Sequence, residues 1–190
     1  VYETEKGILV PGLRFKHIQP KGAAVIYLPE SGMPADGKLP AWLKDKYEKN
    51  HQEIWIFDVR GLGETAPAVP GKKPGYFGVD QKEVMLALHL NRPLLGQRVL
   101  DVLSLMTMIK SDTIEIIGDG TTGPVAMHAA VLEDRIREVT LNNSLKSWQS
   151  VVETPNSRNQ LTNVVPGVLR YYDLTDLELS TSRKVIRKDN

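Results

Sequence analysis

Short β-branched or aromatic runs alternate along this chain with longer stretches of helical period, and that alternation constrains the fold more than any other feature. Ala23–Leu28 (AAVIYL) and Glu53–Val59 (EIWIFDV) are bounded by Gly, Pro or charge and read as strands. Thr113–Ile117, Glu138–Leu141 and a weaker Lys184–Arg187 read the same way. Between the second and third strands, Asp80–Asn91 forms a helical stretch that stops before Pro93. Gly96–Lys110 then sets Val99, Leu100, Val102, Leu103, Met106 and Ile109 on one stripe with a period of about 3.6 residues. Ala41–Asn50 predicts a further helix that packs Trp42, Leu43 and Tyr47, and Gly123–Glu133 another, with Thr122 as N-cap and Pro124 in the first turn. Strands and helices in this order predict an α/β domain, a mostly parallel twisted sheet with helices on both faces. At 190 residues the expectation is a single domain over 1–190.

Composition narrows the function classes. Lys and Arg total 24 against 23 Asp and Glu, a net charge of +1, so nucleic acid is not an expected partner. The absence of Cys removes disulfides, thiolate nucleophiles, Fe–S clusters and zinc-finger chemistry. It leaves the compartment open. No apolar run approaches the ~18 residues of a membrane span. Val99–Ile109 comes nearest and is broken by Asp101, Ser104 and Thr107, so no membrane association is expected. No signal peptide is visible, and a chain that opens at Val1 rather than Met reads as a processed product or a piece of something longer. The Gly- and Pro-rich stretches Gly61–Gly78 and Ser144–Pro166 read as long loops over a cleft or against a partner.

The richest segment is Ile116-Ile117-Gly118-Asp119-Gly120-Thr121-Thr122-Gly123-Pro124, a strand, a glycine turn and a helix. Read as G-x-G-x-x-G, Gly118, Gly120 and Gly123 match a dinucleotide fingerprint. Against this, the motif follows at least two earlier strands, and the next strand ends in Asn142-Asn143 where an acid should meet the ribose. Read as a nucleophile elbow, Gly118 is the first glycine, Gly120 holds the nucleophile slot and Thr122 stands at the second glycine.

The second alignment extends along the chain. Val25–Gly32, Asp58–Thr65, Ala129–Ile136, Val165–Leu174 and Ser182–Val185 follow in an order and spacing that resembles the α/β-hydrolases, of the acetyl-xylan-esterase-like, dienelactone-hydrolase-related kind. The resemblance implies an α/β-hydrolase-like sheet that is incomplete at its C-terminal end, a carbohydrate-ester or other small-ester ligand and frequently an exported protein. It also implies a Ser at position 120, where this chain has Gly, and a base from a later segment. Asp189 alone approaches the place of the family's acid. No catalytic residue is therefore assigned, because a triad needs a nucleophile touching a base that an acid orients. The resemblance leaves an oxyanion or ligand site, with Thr121, Thr122 and the Glu30–Ser31 turn as its residues and Arg60 as a carboxylate partner. It implies no cofactor.

The remaining candidates have ordinary explanations beside functional ones. His128 reads as packing or lining on the Gly123–Glu133 helix, and His17, His51 and His89 as surface residues. No His pair has metal-ligand spacing, so no metal is expected. Ser31, Ser144 and Ser147 read as loop hydrogen-bonders, and Arg60 as an ion-pair partner of Asp58 or Glu64. Trp148, Tyr171 and Tyr172 are sugar-stacking platforms if exposed and core residues otherwise. The function expected is an esterase-like hydrolase-fold domain, inactive as it stands, with an accessory or ligand-binding role. The alternatives are an esterase with its nucleophile elsewhere and, more distantly, a dinucleotide binder. The free edge beyond Lys184–Arg187 is expected to pair with a second copy or a neighbouring domain.

Overall fold

The computed structural model of the protein describes residues 1–67, 77, 80–155, 157 and 159–189. An antiparallel hairpin, β1 (Tyr2–Glu5) and β2 (Ile8–Val10), opens the chain. Then come β3 (Gly12–Phe15), β4 (Ala24–Leu28), α1 (Ala41–Glu48) and β5 (Ile54–Phe57). The helices α2 (Gln81–His89) and α3 (Leu94–Met106) lead to β6 (Ile114–Asp119), α4 (Gly123–Leu132) and β7 (Ile136–Asn142). Finally α5 (Trp148–Glu153), α6 (Leu174–Ser180) and β8 (Lys184–Lys188) complete the set.

The main sheet has six strands in the order β3-β5-β4-β6-β7-β8, with β3 antiparallel and the remaining neighbours parallel. The path steps from β4 sideways to β5, then returns to place β6 on β4's other side. The carboxyl ends of β4 and β6 therefore flank the point where the winding reverses, which is where open α/β sheets form their crevice.

Both faces of the central strands are covered, which is why β4 and β5 read as unbroken apolar runs. Along β4, Val25 and Tyr27 join Ile54, Ile56, Ile117 and the buried Leu43 of α1 on one face. Ala24, Ile26 and Leu28 meet Val99, Val102 and Met106 of α3, with Val125, Ala126 and Ala129 of α4, on the other. Val84, Ala87 and Leu94 seat α2 beside α3.

Several elements differ from the sequence expectation. The first three strands were not anticipated. Ser144–Pro166 is not one loop, since α5 and a short helical turn, Leu161–Asn163, lie within it. In Gly61–Gly78, residues 68–76 and 78 lie outside the described residues. Leu100 is 37% exposed and Trp42 49% exposed, so neither belongs to the core, whereas Arg98 and Asp101 are fully buried inside the α3 stripe. Arg98 is buried because three acceptors meet it: the Arg60 carbonyl at 2.9 Å, Thr162 Oγ1 at 2.5 Å and Asp80 Oδ2 at 3.1 Å. Among the described residues no helix is long and apolar enough to cross a membrane.

Candidate functional site

Each glycine of the turn after β6 has its own physical cause. A Cβ on Gly118 would lie 2.9 Å from Gly123 Cα and from the Thr122 carbonyl, so strand and helix meet here without side chains. A Cβ on Gly123 would lie 1.8 Å from Ser144 Oγ. Gly120 has φ 54, the left-handed region that L side chains rarely adopt. None of the three needs a phosphate to explain it. Thr122 does not cap α4 through its side chain; its buried hydroxyl reaches the Leu28 carbonyl at 2.6 Å and accepts the Asp119 N–H at 2.9 Å. That bond ties the end of β4 to the turn and engages the Thr122 hydroxyl.

The slot over Gly120 is occupied by the chain itself. A Cβ there would stand 2.1 Å from Glu30 Oε2, and the Thr121 N–H donates to Glu30 Oε1 at 3.1 Å. A carboxylate thus takes the amide that would face an acyl oxygen in an elbow of this kind. The fully buried Asp58 holds the turn that carries Glu30, accepting the Met33 N–H at 2.6 Å and the Glu64 N–H at 2.7 Å.

Beside Glu30 opens a pocket of about 410 Å³, lined by Glu30, Trp42, Asp119, Gly120, Asn142, Asn143 and Lys188. Asp119 accepts from the Tyr27 hydroxyl and from Asn142 Nδ2 at 2.7 Å. Burial, then the hydrogen bond to Asp119, holds the Tyr27 phenol above its ordinary pKa, so it stays a donor. The Trp42 ring stands edge-on to Tyr27, with centroids 5.0 Å apart. Asn142 sits where a dinucleotide site would need an acid, and donates to Asp119 instead. Among the described residues no three His, Cys, Asp or Glu side chains gather as metal ligands would.

The other sequence candidates lie apart from this pocket. Ser31 is exposed and does not line it. Arg60 pairs with Asp101, and with Glu5 at 2.8 Å, rather than with Asp58 or Glu64. Ser144 packs on Gly123, and Ser147 donates to Asp173 at 2.7 Å while capping α5 through the Ser150 N–H. His128 Nδ1 donates to the Pro124 carbonyl at 2.6 Å, and its Nε2 accepts from the Tyr172 hydroxyl at 2.9 Å. Asp189 pairs with Lys146 at 2.7 Å. Trp148 is buried and Tyr171 is 84% exposed.

Tyr27, Trp42, Asp119, Asn142 and Lys188 were missed as site residues. A signal was present: Asp119, Asn142 and Lys188 each close a parallel strand, and Glu30 follows β4 by two residues. Polar residues at such positions face the crevice of an open parallel sheet.

No protein-family model matches the sequence, and no curated protein does. Solved structures match in shape. A Bacteroides fragilis protein assigned provisionally as an acetyl xylan esterase superposes with a TM-score of 0.76 at 17% identity, over 98% of this chain and 57% of its own. The acetyl xylan esterase of Paenibacillus sp. R4 gives 0.58 at 17% identity, over 94% of this chain and 63% of its own. Acetyl xylan esterase 1 of Thermoanaerobacterium sp. JW/SL YS485 gives 0.54 at 15% identity, over 95% and 72%. The chain has the α/β-hydrolase fold, similar to that of acetyl xylan esterases, and spans about three fifths of the first two proteins' length.

Proposed function

We propose that this chain is a hydrolase-fold domain that does not hydrolyse esters and keeps the cleft of its fold as a ligand pocket. The observation that carries this reading is the Glu30 carboxylate seated over Gly120 on the Thr121 N–H. A glycine offers no atom to attack a carbonyl. A resident carboxylate also repels the negative charge that develops on an acyl oxygen in the transition state, where an esterase supplies donors. No histidine is among the described residues that line this pocket. Both His128 nitrogens are engaged by Pro124 and Tyr172, and neither Ser144 nor Ser147 makes its hydrogen bond to a histidine.

Turnover of 4-nitrophenyl acetate tests the reading. The expected rate is that of buffer alone, for the chain as it stands and for Gly120→Ser, because an unassisted hydroxyl has nothing to take its proton. Saturable turnover by the unaltered chain, lost on replacing Ser31, Ser144 or Ser147, would instead mean an esterase whose nucleophile sits outside the elbow.

A further inference from the structure

We propose that the pocket beside Gly120 binds an organic cation, an amidinium, guanidinium or ammonium group carried on a flat apolar body. This rests on the reading of Glu30 as the occupant of the slot, and it names the ligand class that follows. Occupation by Glu30 reverses the polarity of the cleft. The Thr121 N–H, the donor that would favour an anion, is already paired.

Two carboxylates among the described lining residues remain to accept hydrogen bonds, the second Glu30 oxygen and that of Asp119. Tyr27 and Asn142 Nδ2 orient Asp119 without bringing positive charge, so they fix its carboxylate and do not neutralise it. Cationic nitrogen groups of this kind present donors only, which is what an acceptor-rich wall requires.

Trp42 supplies the second half of the site. It lines the pocket, is 49% exposed and lies perpendicular to the Tyr27 ring, so about half of its surface is open for stacking and for a cation. Lys188 is the one cation among the described lining residues, set against two carboxylates. It is a tethered competitor for the same acceptors, and its removal should help the ligand.

Binding of benzamidinium, with benzamide as neutral isostere, benzoate as anion and xylobiose as neutral polyol, provides the test. Trp42 fluorescence reports it, because Trp55 and Trp148 are each only 6% exposed. The expected order places benzamidinium first and benzoate last. Glu30→Gln should weaken benzamidinium by about tenfold, as for loss of a charge-assisted hydrogen bond. Lys188→Met should tighten it by about threefold, since a competing charge is gone. Trp42→Ala should weaken binding measured by calorimetry. No binding of benzamidinium, tighter binding of benzoate or xylobiose, or affinity unmoved by Glu30→Gln and Trp42→Ala would each overturn the proposal. A chain silent toward esters that fails these tests loses only the cation assignment; one that turns over the acetate loses the reading beneath it.

Discussion

Gly63 and Gly120 share a left-handed backbone, with φ 53 and 54, yet each faces a carboxylate of different freedom. A Cβ on Gly63 would stand 2.0 Å from Asp58 Oδ2, and Asp58 is fully buried on two backbone amides. A Cβ on Gly120 would meet the tip of Glu30, an exposed residue with a flexible stem. Gly63→Ala must break buried hydrogen bonds and should cost about 3 kcal/mol or more. Gly120→Ala can turn Glu30 outward, leaving chiefly the left-handed strain of about 1–2 kcal/mol. Urea midpoints at constant m-value measure both. Equal losses would show Glu30 to be as fixed as Asp58, contrary to the difference in burial.

At the scale of elements, α4 carries a pH-sensitive contact. Burial holds the His128 imidazole below its ordinary pKa of 6.5, against the opposing pull of the Pro124 carbonyl. With the folded value lowered, the unfolded chain takes up the proton first as pH falls. The contribution is intact above the unfolded value, shrinks as pH drops below about 6.5, and stops changing once the folded histidine is also protonated. The slope from this one group is at most about 1.4 kcal/mol per pH unit. His128→Leu should start from lower stability, having lost the Tyr172 hydrogen bond, and should fall less steeply between neutral and mildly acidic pH. Parallel stability curves for the two proteins would contradict the assignment.

The same scale separates what was legible in the sequence from what was not. The strands β4 and β5 were legible because burial on both faces leaves unbroken apolar runs, and β6 because three isoleucines flank its single buried Glu115. The strands β1 and β3 were not, since Glu3, Glu5 and Arg14 interrupt them and their pairing is made by distant partners. The helices α5 and α6 are short and depend on Asp173, which accepts the Trp148 N–H at 2.6 Å and the Leu174 N–H at 2.7 Å. A tertiary staple of that kind leaves no periodicity to read. In the site, the glycine turn was legible from its spacing. Its occupant was not, because Glu30 and Thr121 stand 91 residues apart in sequence.

Over the whole molecule, two buried carboxylates divide the work of holding the crevice open. Asp58 fixes the loop that presents Glu30, while Asp101 binds Arg60 on the far side of the same β5 exit. Arg98 joins that exit to Thr162 directly and, through Asp80, to the start of α2. The turn after β6 is thus carried on a hydrogen-bonded frame, and its slot is filled by one side chain from the segment that follows β4. A crystal structure determined in the presence of acetate measures this directly. The expected result is a Glu30 carboxylate oxygen about 3.1 Å from the Thr121 nitrogen, with no acetate over Gly120. Acetate seated on the Thr121 N–H, with Glu30 turned into solvent, would contradict it and restore the turn as an anion site.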